Sequence, residues 1–471
     1  MKAAKKQTNK TPPAKVSAAR AAAFEILWRV TTEDAFASNL LAAERYDRLA
    51  REDRALLNEL VLGVLRQQGL LDFLIERYAQ RPLSKLDAEV IIALRLGFYQ
   101  LNFLTRIPAH AAINEAVNQV RLSRKQSAAP FVNATLRAAQ REAVISTGKL
   151  AELLTAIADP VARLSIETSH PRWLIERWRK RFGADEVARL AASHNVAPQT
   201  AFRFNPLRTT REQASVWLAQ NQIRWRASTV APDAAVITDG QLSSQAEPIR
   251  EGWIYLQDEA SQLVAQLAAI KDQNLRVLDL CAAPGSKTTL LASLLPGESL
   301  IVAGELHWQR LQTMKMLCVR LNATHIQPVQ LNALADLPFA ETTGFDLILL
   351  DAPCTGLGTL QRHPEIKWRV TETKINELAE LQKRLLENAA RLLRPGGLLT
   401  YAVCSTEPEE GEEVVAWFRA RYPEFRDHTR ERLIELELEP VPLLTPSFGA
   451  RTFTQRHGCE SFFFCALWKR R

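Results

Sequence analysis

Two cysteines stand out by where they fall. Leu349-Leu350-Asp351-Ala352-Pro353-Cys354-Thr355-Gly356 ends one apolar run, and Tyr401-Ala402-Val403-Cys404-Ser405-Thr406 ends the next. Neighbouring parallel strands ending this way deliver both thiols to one crevice. A lone cysteine is usually a small buried hydrophobe, a reading that suits Cys318 and Cys465 better than these two. A third segment, Asp279-Leu280-Cys281-Ala282-Ala283-Pro284-Gly285-Ser286-Lys287-Thr288-Thr289, leaves a strand, turns on small residues and opens a helix, as a loop that lets backbone N–H groups approach a ligand does. It is not a phosphate-cradling G-x-x-x-x-G-K-[ST] loop, because Leu280 replaces the first glycine and Ser286 separates Gly285 from Lys287. It also lacks the three glycines of a dinucleotide fingerprint. The next strand ends at Glu305, where an acidic residue commonly accepts from a ribose diol. A ligand loop, a strand-end Asp351 and two thiols together point to covalent chemistry on an electrophilic ring.

The elements around these motifs alternate. Strands are predicted over residues 276–280, 300–305, 345–350 and 398–403, with helices after Lys287 and over 308–321, 372–393 and 412–421. Such alternation predicts a mostly parallel sheet covered on both faces. A late apolar strand, residues 461–468, is expected to close the sheet edge. Upstream, residues 17–145 read as helices throughout, from apolar faces such as Leu56, Leu57, Leu60, Val61, Val64 and Leu65. Breaks are expected at Arg81-Pro82, Ile107-Pro108 and Pro130. Between these regions, residues 160–260 combine helices over 173–182 and 184–194 with short strand candidates at 201–204, 230–237 and 252–256, a small α+β module. The expected division is a flexible basic tail at 1–16, an all-helical domain at 17–150, the α+β module at 160–260 and an α/β domain at 261–471.

At 471 residues the chain is too long for one core. With 47% hydrophobic and 24% charged residues it is neither disordered nor fibrous, and it has no apolar run long enough to cross a membrane. The net charge of +8 sits in the first third, where residues 1–150 carry 23 Lys and Arg against 14 Asp and Glu. A basic first domain suits a polyanion, although a solvated basic surface gives the same count. All six cysteines lie at or beyond Cys281, and the lysine-rich start has no apolar signal stretch. A reducing, cytoplasmic compartment follows, with no disulfide between Cys354 and Cys404 expected. No CxxC pair or His/Cys cluster has metal-ligand spacing, so no metal is expected.

Residues 275–470, through LDLCAAPGSKTT, LLDAPCTGLG, RHPEIKW and YAVCSTEPEE, resemble the RNA 5-methylcytosine methyltransferases that use S-adenosylmethionine. The helical region, through Leu94-Arg95-Leu96-Gly97-Phe98-Tyr99, Ile107-Pro108-Ala109-His110-Ala111 and Phe131-Val132-Asn133, resembles antitermination factor NusB. The pairing is similar to the bacterial family that methylates a cytosine of 16S ribosomal RNA. The resemblance implies an all-α NusB-like domain, a small α+β domain and a Rossmann-like α/β methyltransferase domain. It implies Cys404 as nucleophile at cytosine C6, Cys354 assisting loss of the C5 proton, and Asp351 on the N3/N4 edge. Spacing alone does not assign these roles, since in DNA cytosine methylation the Pro-Cys thiol attacks. The resemblance also implies that Cys281, Ala282, Ala283, Pro284, Gly285, Ser286, Lys287, Glu305, Asn332 and Asp351 hold S-adenosylmethionine. The chain departs from the family pattern in four places: Glu305 and Asn332 stand where aspartates are usual, Ser286 replaces a glycine, and Cys459-Glu460-Ser461-Phe462-Phe463 stands where the family tends towards Asp-Gly-Phe-Phe.

For the RNA, Arg362-His363-Pro364 and Lys367-Trp368 are read equally as phosphate and base contacts or as a structured loop. Arg45, Arg48, Arg51, Arg54, Arg121, Arg124 and Lys125 would supply backbone affinity unless they pair with nearby acids. His110 is read as a cap or core polar group. The expected partner is 16S ribosomal RNA, met by a monomer with no membrane. Two rival readings are a transfer RNA cytosine methyltransferase and a non-catalytic RNA-binding module; intact Cys354, Cys404 and Asp351 weigh against the second.

Overall fold

The computed structural model describes residues 16–142, 148–270, 274–335, 337, 339, 344–440 and 442–471. The expected basic tail thus lies, but for residue 16, outside the described residues. Two compact units result, one of residues 1–195 together with 362–368, the other of residues 196–361 together with 369–471. Their boundary falls inside the 160–260 span: the helices Arg172–Phe182 and Ala184–Ser193 group with the first unit, and the short strands with the second. Among the described residues no helix is long and apolar enough to cross a membrane.

The first unit is helical. Helices Ala18–Thr32, Arg51–Arg66, Gln68–Ala79, Ala88–Phe103, Ala109–Leu122 and Ala129–Glu142 turn their apolar stripes onto one core that includes Leu27, Leu60, Leu74, Leu94, Phe98 and Leu136. Close approach is secured by small residues. A Cβ on Gly63 would sit 2.1 Å from the Tyr99 ring, whose hydroxyl donates to Glu59 at 2.5 Å. The break predicted at Pro130 falls just before it, over residues 123–128: the next helix starts at Ala129 and takes Pro130 into its first turn, where proline's missing N–H has no partner to lose. His110 is likewise neither core nor cap: it is exposed in the first turn of its helix, and Pro108 holds the N-cap position.

Residues 362–368 fold as part of this unit, and their equal readings are decided here. Lys367 is 1% exposed, and its ammonium donates to the Arg66 carbonyl at 3.0 Å and reaches the Asn195 amide oxygen at 3.5 Å. Glu365 accepts from the Ala37 N–H at 3.0 Å, and the Trp368 ring lies where a Cβ on Gly69 would meet it at 2.9 Å. The structured-loop reading holds, since a buried lysine bound to a carbonyl does not reach a phosphate. Several predicted phosphate contacts also have acidic partners: Arg45 pairs with Glu25, Arg54 with Asp47 and Lys125 with Asp87, each at 2.8 Å.

Near Lys367 lie two buried imidazoles, His170 and His194, with His170 Nε2 3.2 Å from His194 Nδ1. Burial, with the Lys367 charge adding, holds His170 well below its ordinary value and brings His194 down to about 3. Burial, with Arg66 adding, brings Lys367 to about 7. The unfolded chain takes up these protons at higher pH, so stability is lost as pH falls. The lysine contribution is complete above about 10.5 and lost on the way to 7; the histidine contributions are complete above about 6.5 and lost toward 3. Thermal melts followed by circular dichroism should therefore show the helical unit weakening from pH 7 to pH 5, by about 1 kcal/mol per pH unit for each titrating imidazole. A melting temperature flat over that range is the opposing result.

In the second unit, strands β1 (Ala201–Phe204), β2 (Arg224–Ala227), β3 (Ala234–Asp239) and β4 (Ile254–Leu256) form an antiparallel sheet of order β2-β3-β1-β4. β2 and the helix Arg211–Gln220 before it escape the sequence reading; β2 is only four residues long, and none of them is fully buried. The larger sheet comprises β5 (Arg276–Asp279), β6 (Leu300–Glu305), β7 (Ile326–Gln330), β8 (Phe345–Asp351), β9 (Leu393–Val403), β10 (Phe425–Asp427), β11 (Ala450–Arg451) and β12 (Phe463–Lys469). Its order is β10-β12-β9-β8-β5-β6-β7, with β11 paired to β12, and β5 to β9 run parallel. β12 is antiparallel to both β9 and β10, so the late apolar strand is interior and the three-residue β10 takes the edge. The reason lies in its composition: Phe463, Phe464, Cys465, Ala466 and Leu467 are all fully buried, as two-sided cover requires. The small sheet is bonded to the larger fold through Arg203, which donates to Thr289 Oγ1 at 3.0 Å, and Asn205, which donates to the Leu321 carbonyl at 2.9 Å.

Candidate active site

The strand order reverses between β5 and β8, and ligands in such sheets bind outside the carboxyl ends at that switch. The loop after β5 is fixed there by its own backbone. Leu280 N–H donates to the Leu349 carbonyl at 3.0 Å, Ala282 N–H to the Gly304 carbonyl at 2.9 Å, and Gly285 N–H to the Ala282 carbonyl at 2.7 Å. Gly285 caps the helix Ser286–Leu294 at φ +100°, and a Cβ there would meet Met314 at 2.7 Å. Both facts require glycine. At the strand end, Asp279 accepts from the Thr288 hydroxyl at 2.7 Å, and burial pushes its carboxyl up to about 7.

A cavity of about 400 Å³ opens beside this loop, lined by Cys281, Ala283, Glu305, Asn332, Asp351, Cys354 and Cys404 among others. Thus the loop, the ends of β6, β8 and β9 and the segment after β7 converge, as the alternation of elements predicts. Glu305 is 4% exposed; its Oε1 accepts from the His307 N–H at 2.8 Å and its Oε2 lies 3.6 Å from Arg310 Nη1. Arg310 also donates to the Ala283 carbonyl at 2.6 Å, tying the loop to the helix after β6. Asn332 lines the cavity, while its Oδ1 accepts from the Leu334 N–H at 3.0 Å. Ala282, Pro284, Gly285, Ser286 and Lys287 are not among the lining residues; they shape the loop behind it.

Lys287 acts through Asp351. It is 8% exposed, its ammonium lies 2.7 Å from Asp351 Oδ2, and it sits 5.0 Å from the centre of the Phe462 ring. Burial alone would lower its pKa; the bonded carboxylate outweighs burial and the net shift is upward, so the ammonium is retained. Cys354 Sγ and Cys404 Sγ stand 3.2 Å apart. The hydrogen bond to Cys404, burial and the charge of Glu410 hold the Cys354 thiol well above the ordinary value. Burial raises Cys281 to about 12, which makes the third cavity thiol inert.

Sequence reasoning missed His307 and Arg310, which line the cavity, and the apolar wall made by Leu334, Leu381 and Leu385. His307 and Arg310 follow Glu305 within one turn, a spacing that could have drawn notice. Leu381 and Leu385 come from a helix some thirty residues beyond Asp351 and Leu334 from the segment after β7, with no local signal at all.

Residues 265–468 match the family described as 16S rRNA methyltransferase RsmB/F, residues 17–141 match the NusB family, and residues 170–242 match an RsmF/B-like ferredoxin-like domain. The chain is 35% identical to ribosomal RNA small subunit methyltransferase B of Pseudomonas putida, over 96% of this chain and 98% of that one. The chain belongs to the RsmB/F family. It is also 31% identical to the protein of the same description from Erwinia tasmaniensis, over 97% and 99% of the two lengths. A solved structure titled PH0851 covers 97% of this chain and all of its own at a TM-score of 0.76 and 26% identity. NSun6 from Pyrococcus horikoshii with SFG shares the fold over 64% of this chain, at a TM-score of 0.55 and 21% identity. As a member of the RsmB/F family the chain is an RNA methyltransferase, built from a NusB-like helical region, a ferredoxin-like domain and an α/β methyltransferase domain.

Proposed function

We propose that this enzyme transfers a methyl group from S-adenosylmethionine to C5 of a cytosine in 16S ribosomal RNA, in the cytoplasm, through a covalent bond between Cys404 and C6. The observation that carries the reading is the pair of thiols 3.2 Å apart at the ends of adjacent parallel strands, on the wall of the cavity at the switch point. The cavity residues fit the methyl donor. Glu305 offers a strand-end carboxylate for a ribose diol, and leucines at 331, 334, 381 and 385 offer an apolar face for a base. S-adenosylmethionine supplies, when bound, an electrophilic methyl group.

The protein's residues supply the rest. Cytosine C5 is a poor nucleophile until a thiolate adds at C6, which places an electron pair on C5 as an enamine. Cys404 is that thiolate. Asp351, fixed by Lys287, takes the N3/N4 edge and orients the ring. After transfer, Cys354 assists departure of the C5 proton; the electrons of the C–H bond restore C5=C6 and expel Cys404. The ring must leave its stack to reach two half-buried sulfurs, which favours a looped or unpaired cytosine. Two supports separate 16S from transfer RNA: the NusB-family region, and relatives whose names specify the small ribosomal subunit. Bisulfite sequencing of small-subunit RNA from cells with and without the gene should show one protected cytosine disappear. An unchanged map, with a protected cytosine lost from transfer RNA instead, favours the alternative substrate.

A further inference from the structure

A single buried carboxylate lies behind the two thiols. Glu410 is 0% exposed, yet it belongs to the turn after β9. Its Oε1 accepts from the Thr355 N–H at 2.8 Å and from Gln382 Nε2 at 3.2 Å. Its Oε2 accepts from the Thr355 hydroxyl at 2.5 Å and from the Ser405 hydroxyl. Thr355 directly follows Cys354, and Ser405 directly follows Cys404. Gln382 closes the frame from the far side, since the same Nε2 also donates to the Pro353 carbonyl at 2.9 Å. One carboxylate therefore grips the residue after each thiol, and its helper grips the residue before Cys354.

The carboxylate is itself anchored. The Tyr401 hydroxyl donates to the Glu410 carbonyl at 2.5 Å, and Tyr401 is fully buried in β9. Arg451 donates to the carbonyls of Ser405 at 2.6 Å and Glu407 at 3.0 Å and pairs with Glu412, so the turn carrying Glu410 has little freedom. A carboxylate taking four donors forms charge-assisted bonds, stronger and more directional than neutral ones. Burying it unbonded would cost several kcal/mol, so the contacts hold as a unit or fail as a unit. β8 and β9 pair through Asp351 and Ala402, and both cysteines lie beyond that last rung. There the loops are joined by the Gly358 N–H, which donates to the Cys404 carbonyl at 2.9 Å, by the Thr355 and Ser405 hydroxyls 3.2 Å apart, and by Glu410, whose carboxylate bonds to the residue after each cysteine.

We propose that Glu410 is the positioning residue of the reaction, a clamp that sets the 3.2 Å approach of Cys354 and Cys404 by bonding to the residue after each. The inference rests on the two-thiol reading above and deepens it. Glu410 touches neither thiol by hydrogen bond and acts through Thr355 and Ser405. Its charge has a second consequence, since it adds to the hydrogen bond from Cys404 and to burial in disfavouring ionisation of Cys354.

The test compares Glu410→Ala and Glu410→Gln in the full chain. Glutamine keeps the clamp: its oxygen can still accept from Thr355 N–H and Gln382, and its amide can donate to the two hydroxyls, which rotate to accept. Alanine removes it. Adduct formation is followed with small-subunit RNA transcribed with 5-fluorocytidine, in which fluorine at C5 blocks the elimination. Glu410→Ala should slow the adduct about 100-fold, the loss expected for roughly 1 Å of misplacement, with affinities for RNA and S-adenosylmethionine unchanged. Glu410→Gln should restore most of the rate. A second readout needs no RNA: diamide, a two-electron oxidant, converts two adjacent thiols to a disulfide and is reduced to the hydrazide. The 354–404 link, mapped by mass spectrometry, should form quickly in wild type and Glu410→Gln and slowly in Glu410→Ala. Equal oxidation and adduct rates in wild type and Glu410→Ala overturn the clamp. A glutamine variant as slow as alanine in both readouts also overturns it, by showing that charge and not spacing matters. Should Glu410→Ala lose cofactor binding through misfolding, the double variant Thr355→Val with Ser405→Ala removes the two hydroxyl bonds to Oε2 from the other side, leaving the Thr355 N–H bond, and is judged by the direction of the same two rates. A wild-type enzyme that forms no adduct but oxidises readily defeats the covalent mechanism and leaves the clamp supported.

Discussion

Cys404→Ala is expected to abolish both turnover and the RNA–protein adduct, whereas Cys354→Ala is expected to trap that adduct as a slow band on a denaturing gel. The asymmetry follows from when each sulfur acts. Without Cys404 no bond to C6 forms, C5 stays unactivated, and the barrier returns toward that of the uncatalysed ring; each factor of ten lost is about 1.4 kcal/mol of missing stabilisation, and a loss of at least about 10⁴-fold is expected for an absent nucleophile. Without Cys354 the addition and the methyl transfer proceed, but the C5 proton leaves slowly and Cys404 stays bonded to the ring. The surroundings favour this order: the hydrogen bond to Cys404, burial and the charge of Glu410 keep Cys354 protonated at rest. The reverse pattern, a trapped band from Cys404→Ala, would exchange the two roles without removing the site.

Lys287→Met should have the next largest effect. Lys287 is the buried cation held 2.7 Å from Asp351, and methionine matches its length without its charge. Its removal leaves Asp351 facing the buried Asp279 carboxyl with no compensating cation. Breaking a buried pair by deleting one partner typically costs about 3–5 kcal/mol, and the partial exposure of Asp351 reduces that figure. A fall in kcat of about 100-fold, equivalent to about 3 kcal/mol, is expected. KM for RNA should hardly change, because an 8% exposed lysine contacts no phosphate. A change confined to KM would instead place Lys287 in RNA binding, and an unchanged kcat would remove the ion pair from the mechanism.

Much of this architecture was legible in the residues, for local reasons. Strands such as β6 and helices such as Trp308–Leu321 and Glu412–Arg421 follow from apolar runs and periodic stripes whose ends are marked by turn chemistry. Where local signals were weak, reading failed. β7 carries Pro328 and polar residues and was missed at the sheet edge, and β2 was missed for similar reasons. The place of β12 was misjudged because order within a sheet is a property of the whole chain and not of the strand. Lys367 shows the same limit: its type left an RNA contact and a structured loop equally open, and the first unit decides by burying it against the Arg66 carbonyl.

The residues alone determined which side chains stand at strand ends, because strand length, loop onset and the alternation of elements are encoded within some ten residues of each motif. Cys354, Cys404, Asp351 and Glu305 were therefore identifiable without coordinates. Only the tertiary structure decided distances between them: the 3.2 Å between sulfurs, the Lys287–Asp351 pair and the carboxylate of Glu410 reaching both cysteine loops. Such contacts join residues up to 64 positions apart. Their separation depends on sheet order and packing, which hydrophobic burial fixes collectively and which no single stretch of sequence states.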